Sequence, residues 1–350
     1  MAPKIFLTGG TGYIGGSVLH TLATTHPEYT ITVLLRRTPP NFASTYPNIT
    51  ILTGSYSSTS LITSAAASAD IVVHNGDSDH EPSLNAIISG LLQRPTPGYL
   101  LHLSGTGIVS DWASPSYLGL LNPKIWSDKT SLPEIRSLPP TALHRNTETI
   151  LHETIAKHGD RINIAIMCPP DIYGKGKGLV KTHSALIPFF IHAAKGIESG
   201  KPFYYNQGAN TRSWVHINDL MRLYLHVVEA AASSLSSNSD SSSGDFFNEN
   251  GYYFAATQEH SQIDVAKAVG GILHKHGVIK DAEPVQIGLE ELDGMAAVYP
   301  GFPKLARYLF ASNSRTRAER AGEKWGYKGE APGLLECLEG DVLDAIGMKG

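Results

Sequence analysis

Cysteine is scarce in this chain of 350 residues, and long apolar runs are missing. Only Cys168 and Cys337 are present, which excludes a disulfide framework and any CxxC zinc or redox site. No apolar stretch is long enough to span a bilayer. The formal net charge of −4 provides no basic surface for nucleic acid or an anionic membrane. We therefore expect a reduced, cytoplasmic protein with no nucleic-acid or membrane partner.

The strongest pattern lies in the first sixteen residues. Residues 4–7 predict a short apolar strand, and the run TGGTGYIGG follows at residues 8–16. Gly9 permits a tight turn, Gly12 lets the backbone approach a phosphate, and Gly15 lets helix and strand pack closely. A strand that turns straight into a helix directs free N–H groups and the positive end of the helix dipole at one point, which suits a pyrophosphate. The dinucleotide-binding residues predicted from this run are Gly9, Thr11, Gly12, Tyr13, Ile14 and Gly15. Because the apolar start is explained as a strand, we expect no signal peptide.

Strands and helices alternate through the first half of the chain, as in a doubly wound parallel sheet of the α/β class. Further strands are predicted over residues 31–35, 49–52, 71–74, 99–103 and 162–167, and helices over residues 60–69, 82–92 and 141–158. A long Pro/Ser-rich loop is predicted over 110–140 and a flexible Ser-rich loop over 231–244, followed by a strand at 246–256 and a helix at 263–276.

Ligands of open α/β sheets bind beyond the carboxyl ends of the strands. The segments that follow these predicted ends are therefore candidates for cofactor contacts. They contain Arg36, Arg37, Asn75, Gly76, Asp77, Ser104, Thr106, Pro169, Pro170 and Ile172.

Four segments, in the right order, resemble the extended short-chain dehydrogenase/reductase superfamily. They are TGGTGYIGG at residues 8–16, CPPDIYG at 168–174 (with Cys168 where arginine is usual), WVHINDL at 214–220, and Asn313-Ser314-Arg315 followed by WGY at 325–327. The runs DSDH at 77–80 and SGTG at 104–107, with the His144-Arg145 pair, further resemble a largely fungal, epimerase-like branch.

The resemblance implies a Rossmann domain of about seven strands that holds NAD or NADP, and a smaller, mostly helical lobe that closes over the substrate. We assign residues 1–174 and 209–258 to the first and residues 175–208 and 259–350 to the second. Homodimers are common in the superfamily, and a homodimer stays open here.

The identity of the dinucleotide is decided after the second strand. Enzymes that use NAD usually place an acidic residue there for the ribose 2′-hydroxyl, whereas this chain has Arg36 and Arg37 and no nearby carboxylate. Two guanidinium groups suit a 2′-phosphate. We therefore favour NADP(H) over NAD(H).

The resemblance fails at the catalytic residues. The superfamily uses a serine or threonine with a Tyr-x-x-x-Lys pair, and here His144 and Glu148 occupy the tyrosine and lysine places. Ser104 fits the serine position. Glu148, one helical turn beyond His144, would favour the imidazolium, so that His144 and Ser104 protonate and polarise a carbonyl oxygen while His144 also borders the cofactor. Alternatively, Glu148 accepts hydrogen bonds from the nicotinamide ribose.

These residues predict an NADP(H)-dependent reductase of a small ketone or aldehyde, with Thr106, Tyr173 and Arg212 as substrate contacts and no metal ion. Asp128, in the long loop, is by default a solvated turn residue. Spacing alone would let His144, Glu148 and His152 share a metal, but the pattern lacks supporting ligands. Two alternatives stay open: a redox sensor that binds NADP(H) without catalysis, and a non-redox isomerase or epimerase that keeps NADP bound.

Overall fold

Seven parallel strands form the central sheet. The computed structural model describes residues 2–236, 243–295, 301–302 and 304–348. The strands of this sheet are β1 (Lys4–Thr8), β2 (Thr30–Leu35), β3 (Thr50–Thr53), β4 (Ile71–His74), β5 (Gly98–Leu103), β7 (Ile162–Cys168) and β11 (Tyr252–Phe254). Their order across the sheet is β11-β7-β5-β4-β1-β2-β3. The predicted Rossmann sheet of seven strands is therefore confirmed.

Helices cover both faces of this sheet because its strands are apolar on both sides. Ile5 and Leu7 of β1 pack with the helices over residues 13–25 and 217–236, whereas Phe6, between them, packs with the helices over residues 59–68, 81–92 and 145–158 on the other face. The helices of this part of the chain are α1 (Tyr13–Thr25), α2 (Phe42–Thr45), α3 (Thr59–Ser68), α4 (Glu81–Leu92), α5 (Leu132–Arg136), α6 (Arg145–His158) and α8 (Ile217–Ser236).

A third apolar core lies beside the sheet, formed by three helices and the short strands between them. Its members come mainly from α7 (Leu186–Gly196), α9 (Gln262–Lys275) and α13 (Leu334–Ile346). The remaining elements are α10 (Leu289–Gly294), α11 (Leu305–Phe310), α12 (Glu319–Trp325), β6 (Trp126–Ser127), β8 (Asp171–Tyr173), β9 (Phe203–Tyr205), β10 (Thr211–His216), β12 (Gln258–Ser261), β13 (Val285–Ile287) and β14 (Thr316–Arg317).

Three sequence predictions need correction. The predicted Ser-rich loop at 231–244 is helical up to Ser236, because Ala231 is buried and continues the apolar face of α8; residues 237–242 lie outside the described part. The predicted strand at 246–256 is reduced to Tyr252–Phe254. The predicted loop at 110–140 contains α5 and β6, and Asp128 within it is fully buried.

Asp128 is buried because its carboxylate accepts hydrogen bonds from backbone N–H groups at the ends of two other elements. One of its oxygens accepts hydrogen bonds from the backbone N–H groups of Glu319 and Arg320, and the other accepts from Phe254 N at 3.0 Å. Burial raises the pKa of Asp128 to about 7. The residue fixes the long segment to the end of β11 and the start of α12, which makes it structural and not a solvated turn residue.

Two histidines lie side by side within the sheet. His74 of β4 pairs with His102 of β5, their rings are 5.3 Å apart, and both side chains are buried. The Nδ1 atom of His74 is 2.6 Å from Thr8 Oγ1. Burial lowers the pKa of His74 to about 4 and that of His102 well below its ordinary value. Both rings are therefore neutral in the folded protein at neutral pH.

We predict that mild acid destabilises the fold through this pair. Between pH 6.5 and 4 the unfolded chain binds protons at these histidines and the folded chain does not, so stability falls as the pH falls. The free energy of unfolding should drop by about 2 kcal/mol per buried histidine between pH 7 and 5. Urea denaturation of the parent protein and of His74→Gln at both pH values measures the His74 contribution by difference, because the opposite pH dependence of Asp128 is common to both. The exposed control is His192→Gln; equal pH dependence of His74→Gln and the parent protein would contradict the prediction.

Candidate active site

The glycine-rich turn between β1 and α1 admits no side chain at two positions. Gly9 has φ +76°, and a Cβ there would lie 2.1 Å from the carbonyl oxygen of Asn75. A Cβ on Gly15 would lie 2.3 Å from the carbonyl oxygen of Gly9. The N–H of Gly12 donates to that same oxygen at 2.8 Å. The turn therefore holds the backbone of β1, β4 and α1 in mutual contact.

A cleft of about 490 Å³ opens at the N-terminus of α1. Gly12 caps this helix without a side-chain hydrogen bond, so the first N–H groups of the helix are available to a ligand. Asn75 lies in the wall: its Oδ1 accepts from Tyr224 Oη at 2.7 Å, and its buried Nδ2 has no hydrogen-bond partner among the described residues. A free amide donor and a glycine cradle that a Cβ would fill both fit a dinucleotide. The cleft is lined by Gly12, Tyr13, Ile14, Gly15, Asn75, Gly76, Leu103, Pro170, Asp171, Ile172, Lys181, His183, Ala185, Leu186, Phe189 and Leu309.

A second, wider cleft of about 890 Å³ adjoins the ends of β2 and β3. Arg36 and Arg37 are exposed there and form no ion pair with any described residue. No acidic residue is among its lining residues, which are Thr11, Arg36, Arg37, Thr38, Pro39, Pro40, Thr53, Gly54, Ser55 and Val180. This cleft suits a second anionic group of the same ligand.

The segment after β8 crosses the start of α1. Tyr13 Oη donates to the carbonyl oxygen of Gly174 at 2.5 Å. Farther along, a Cβ on Gly178 would lie 3.0 Å from Gly16 Cα, so segment and helix touch backbone to backbone. Val180 then lines the wider cleft and Lys181 the narrower one. No pattern in the sequence indicated this crossing, because the segment has no regular secondary structure.

His144 lies against the backbone that follows β5, the strand that contributes Leu103 to the narrower cleft. It is the N-cap of α6 and has a left-handed backbone, φ +63°, so its side chain does not follow the helical spacing. Its Nδ1 lies 2.9 Å from Asp79 Oδ1 and 3.3 Å from Ser78 Oγ. Its Nε2 faces Gly105, where a Cβ would lie 3.0 Å away. The carboxylate paired with His144 is therefore Asp79, not Glu148 as predicted.

Glu148 is buried behind the sheet edge, with 0% of its surface exposed. Ser104 Oγ donates to its Oε1 at 2.6 Å, and Tyr252 Oη donates to the same oxygen at 3.1 Å. Cys168 Sγ lies 3.8 Å from that oxygen as well. The structure therefore pairs Glu148 with Ser104 and not with His144, while the roles of Ser104 at a carbonyl oxygen and of Glu148 at the nicotinamide ribose stay predictions.

Two of the predicted substrate contacts are also engaged elsewhere. Arg212 is buried, donates to both carboxylate oxygens of Asp171 at 2.6 and 3.1 Å, and donates to the carbonyl oxygen of Tyr308 at 2.8 Å. Asp171 raises the pKa of Arg212 further despite the opposing effect of burial. Tyr173 is fully buried; its hydroxyl donates to the carbonyl oxygen of Pro332 and accepts from Gln258. Both side chains are held by these partners around the cleft, and their predicted contacts with substrate stay predictions.

The remaining predicted residues lie around the same edge. Thr106 is buried, and its N–H donates to the carbonyl oxygen of Pro169 at 3.0 Å. Asp77 is exposed, and its Oδ1 accepts from the N–H of Asp79 at 3.1 Å, which shapes the loop that carries Asp79. Asp79 itself was not predicted as a functional residue, although the DSDH run that contains it was noted in the sequence as part of the family resemblance.

Among the described residues, no group of three or more His, Cys, Asp or Glu side chains is arranged to hold a metal ion. No helix in that part of the chain has the length and apolar character needed to cross a membrane.

Comparison with known proteins agrees with this geometry. A model of the NAD dependent epimerase/dehydratase family matches residues 139–239. An oxidase of an Acremonium species, ucsJ, is 28% identical over 344 residues, which cover 97% of this chain and 96% of that relative. Over residues 139–239 the chain is similar to the epimerase/dehydratase family, and over nearly its whole length it is similar to the Acremonium oxidase.

Solved structures show the same fold for the whole chain. UDP-glucose 4-epimerase of Thermotoga maritima, solved with UDP-glucose, has a TM-score of 0.59 at 15% identity and covers 98% of both chains. The dTDP-glucose 4,6-dehydratase of Bacillus anthracis, solved with NAD, has a TM-score of 0.59 at 14% identity and covers 99% of this chain and 97% of its own. In fold, and in part of its sequence, the chain is thus similar to enzymes of the epimerase/dehydratase type.

We predict that Gly15→Ala abolishes binding of NADPH and NADH, because a methyl group 2.3 Å from the carbonyl oxygen of Gly9 must displace the turn. Fluorescence titration of each nucleotide measures the loss, and circular dichroism reports whether the fold persists. Gly271→Ala is the matched control, since a Cβ there meets nothing within 4 Å. Unchanged affinity in Gly15→Ala would show that the dinucleotide binds elsewhere.

Proposed function

We propose that this protein is an NADP(H)-dependent oxidoreductase that reduces a ketone or aldehyde of a small organic molecule. The observation that carries the proposal is the His144–Asp79 pair: an imidazole 2.9 Å from a carboxylate, whose Nε2 faces Gly105, two residues beyond Leu103 in the lining of the cleft that fits a dinucleotide. Bound NADPH would supply the hydride that such a reduction needs. The protein must then supply a proton to the carbonyl oxygen.

His144 is suited to that proton transfer. The carboxylate of Asp79 accepts a hydrogen bond from Nδ1–H, so this nitrogen keeps its proton and Nε2 becomes the atom that gives and receives protons. Nε2 faces the backbone at Gly105, just beyond the carboxyl end of β5. About 19% of the His144 side chain is exposed, which lets solvent return the proton after each turnover. In the overall reaction the carbonyl carbon receives one hydride from NADPH and the carbonyl oxygen receives one proton from His144, which yields an alcohol and NADP⁺.

The relatives support an oxidoreductase without settling its direction. The Acremonium relative is named an oxidase, and hydride transfer between an alcohol and a nicotinamide ring runs either way, so the same residues would serve an oxidation. The epimerase and the dehydratase among the solved structures share the fold alone. The Arg212 guanidinium is already paired, so the proposal assigns no substrate anion to it.

The choice of NADP(H) rests on Arg36 and Arg37. Both guanidinium groups face the wider cleft without an ion-pair partner among the described residues, and no carboxylate lines that cleft. A 2′-phosphate would give them the bidentate acceptor that guanidinium groups prefer. The matching family is described as NAD dependent, and the Bacillus anthracis dehydratase was solved with NAD, so the preference for NADP(H) is a property proposed for this chain.

We predict that replacing Arg36 and Arg37 together by alanine weakens NADPH binding at least 10-fold and leaves NADH binding within about 2-fold, because only NADPH carries the 2′-phosphate. Isothermal titration of both nucleotides tests this. The control replaces Lys157 and Lys275 by alanine, which removes the same charge outside both clefts. Equal weakening of both nucleotides would overturn the NADP(H) assignment.

We predict that His144→Ala lowers kcat about 100-fold or more on any carbonyl that the parent protein reduces, while the Kd for NADPH stays within about 2-fold, since general acid catalysis contributes factors of this size. Asp79→Asn should cause a smaller loss of kcat because it only orients the imidazole. NADPH oxidation followed at 340 nm measures both variants, with His192→Ala as control.

Unchanged turnover in His144→Ala would remove this residue from the mechanism. Tight NADPH binding by the parent protein with no turnover across a panel of aldehydes and ketones would count against a reductase and favour the sensor.

A further inference from the structure

Tyr308 brings a second hydrogen-bond donor to the point that His144 faces. The residue belongs to α11, which is far along the chain from α6. A Cβ built on Gly107 would lie 2.9 Å from Tyr308 Oη and 3.3 Å from His144 Nε2. The two polar atoms therefore flank the same point on the backbone that follows β5, and only a glycine there leaves room between them.

The tyrosine is held in place by contacts to its ring and to its backbone carbonyl group. The guanidinium carbon of Arg212 lies 4.7 Å from the ring centroid, and Arg212 Nη1 donates to the carbonyl oxygen of Tyr308 at 2.8 Å. Phe302 stacks on the ring at a centroid distance of 5.8 Å. Arg212 is itself fixed by Asp171, a residue of the cleft wall. The position of the phenol is thus coupled to the wall of the cofactor cleft.

The hydroxyl group of Tyr308 is protonated at neutral pH and can donate a hydrogen bond. Burial raises the pKa of Tyr308, and the cation of Arg212 opposes that rise. Its hydroxyl therefore carries its proton, and the neighbouring guanidinium makes that proton a better hydrogen-bond donor. The hydroxyl of Ser104 already donates a hydrogen bond to Glu148, so it is not a comparable free donor.

We propose that Tyr308 is a catalytic residue that hydrogen bonds the substrate's carbonyl oxygen, on the opposite side from His144. This inference rests on the proposed function. During hydride transfer, negative charge develops on that oxygen; Tyr308 Oη stabilises it by donating a hydrogen bond and keeps its proton, while His144 Nε2 transfers the proton that completes the alcohol. Arg212 is a positioning residue that orients the phenol.

Tyr308→Phe tests this directly, because it deletes one oxygen and keeps the ring that Arg212 and Phe302 contact. We expect kcat to fall 100-fold or more, the loss typical of one donor to a developing oxyanion, with the Kd for NADPH and the melting temperature unchanged. Tyr29→Phe is the matched control, since Tyr29 stacks on His26 outside both clefts. Turnover of Tyr308→Phe equal to that of the parent would overturn the inference.

Gly107→Ala is an independent test that leaves Tyr308 intact. The added methyl group occupies the space between the two donors, so kcat/KM should fall at least 10-fold while NADPH affinity is kept; full activity would overturn the placement of the substrate oxygen. Loss of turnover in His144→Ala but not in Tyr308→Phe would refute the role of Tyr308 and leave the proposed function standing. A parent protein that turns over no carbonyl would overturn both.

Discussion

The functional geometry depends on one steric constraint, the contact between the backbones of two neighbouring strand ends and a helix start. Gly9 packs against the carbonyl group of Asn75, and Gly15 packs against that of Gly9. This contact places the free N–H groups of α1 and the amide of Asn75 on one cleft wall. Because no side chain can enter, the space beyond the turn is left for a ligand whose anionic group meets those donors.

Much of this region was accessible from the sequence because it is built from local patterns. The apolar strands, the glycine spacing and the pair Arg36 and Arg37 are each contiguous in the chain, and the carboxyl ends of parallel strands must meet at one edge. The structure accordingly places Gly12, Gly15 and Ile172 on the narrower cleft. The family resemblance led to the same edge of the sheet.

The errors arose where the backbone or a distant partner overrides spacing. His144 has a left-handed backbone, so counting four residues to Glu148 does not bring the two side chains together. Arg212 was predicted to bind substrate, but its guanidinium group forms an ion pair with Asp171 on a neighbouring strand. Tyr308 contacts the site from an element distant in the chain, and no local pattern marks such a contact.

The burial of Glu148 affects how a substitution of Ser104, the residue at the superfamily's catalytic serine position, must be interpreted. With no exposed surface, this carboxylate depends on the hydroxyls of Ser104 and Tyr252. Removing one of them leaves a buried charge short of a donor, at a cost of about 1–3 kcal/mol or more. These hydrogen bonds join β5, α6 and β11, so Ser104→Ala would destabilise the structure that supports His144. A loss of activity in that variant would then come from the destabilised fold and would not show that Ser104 takes part in the chemistry.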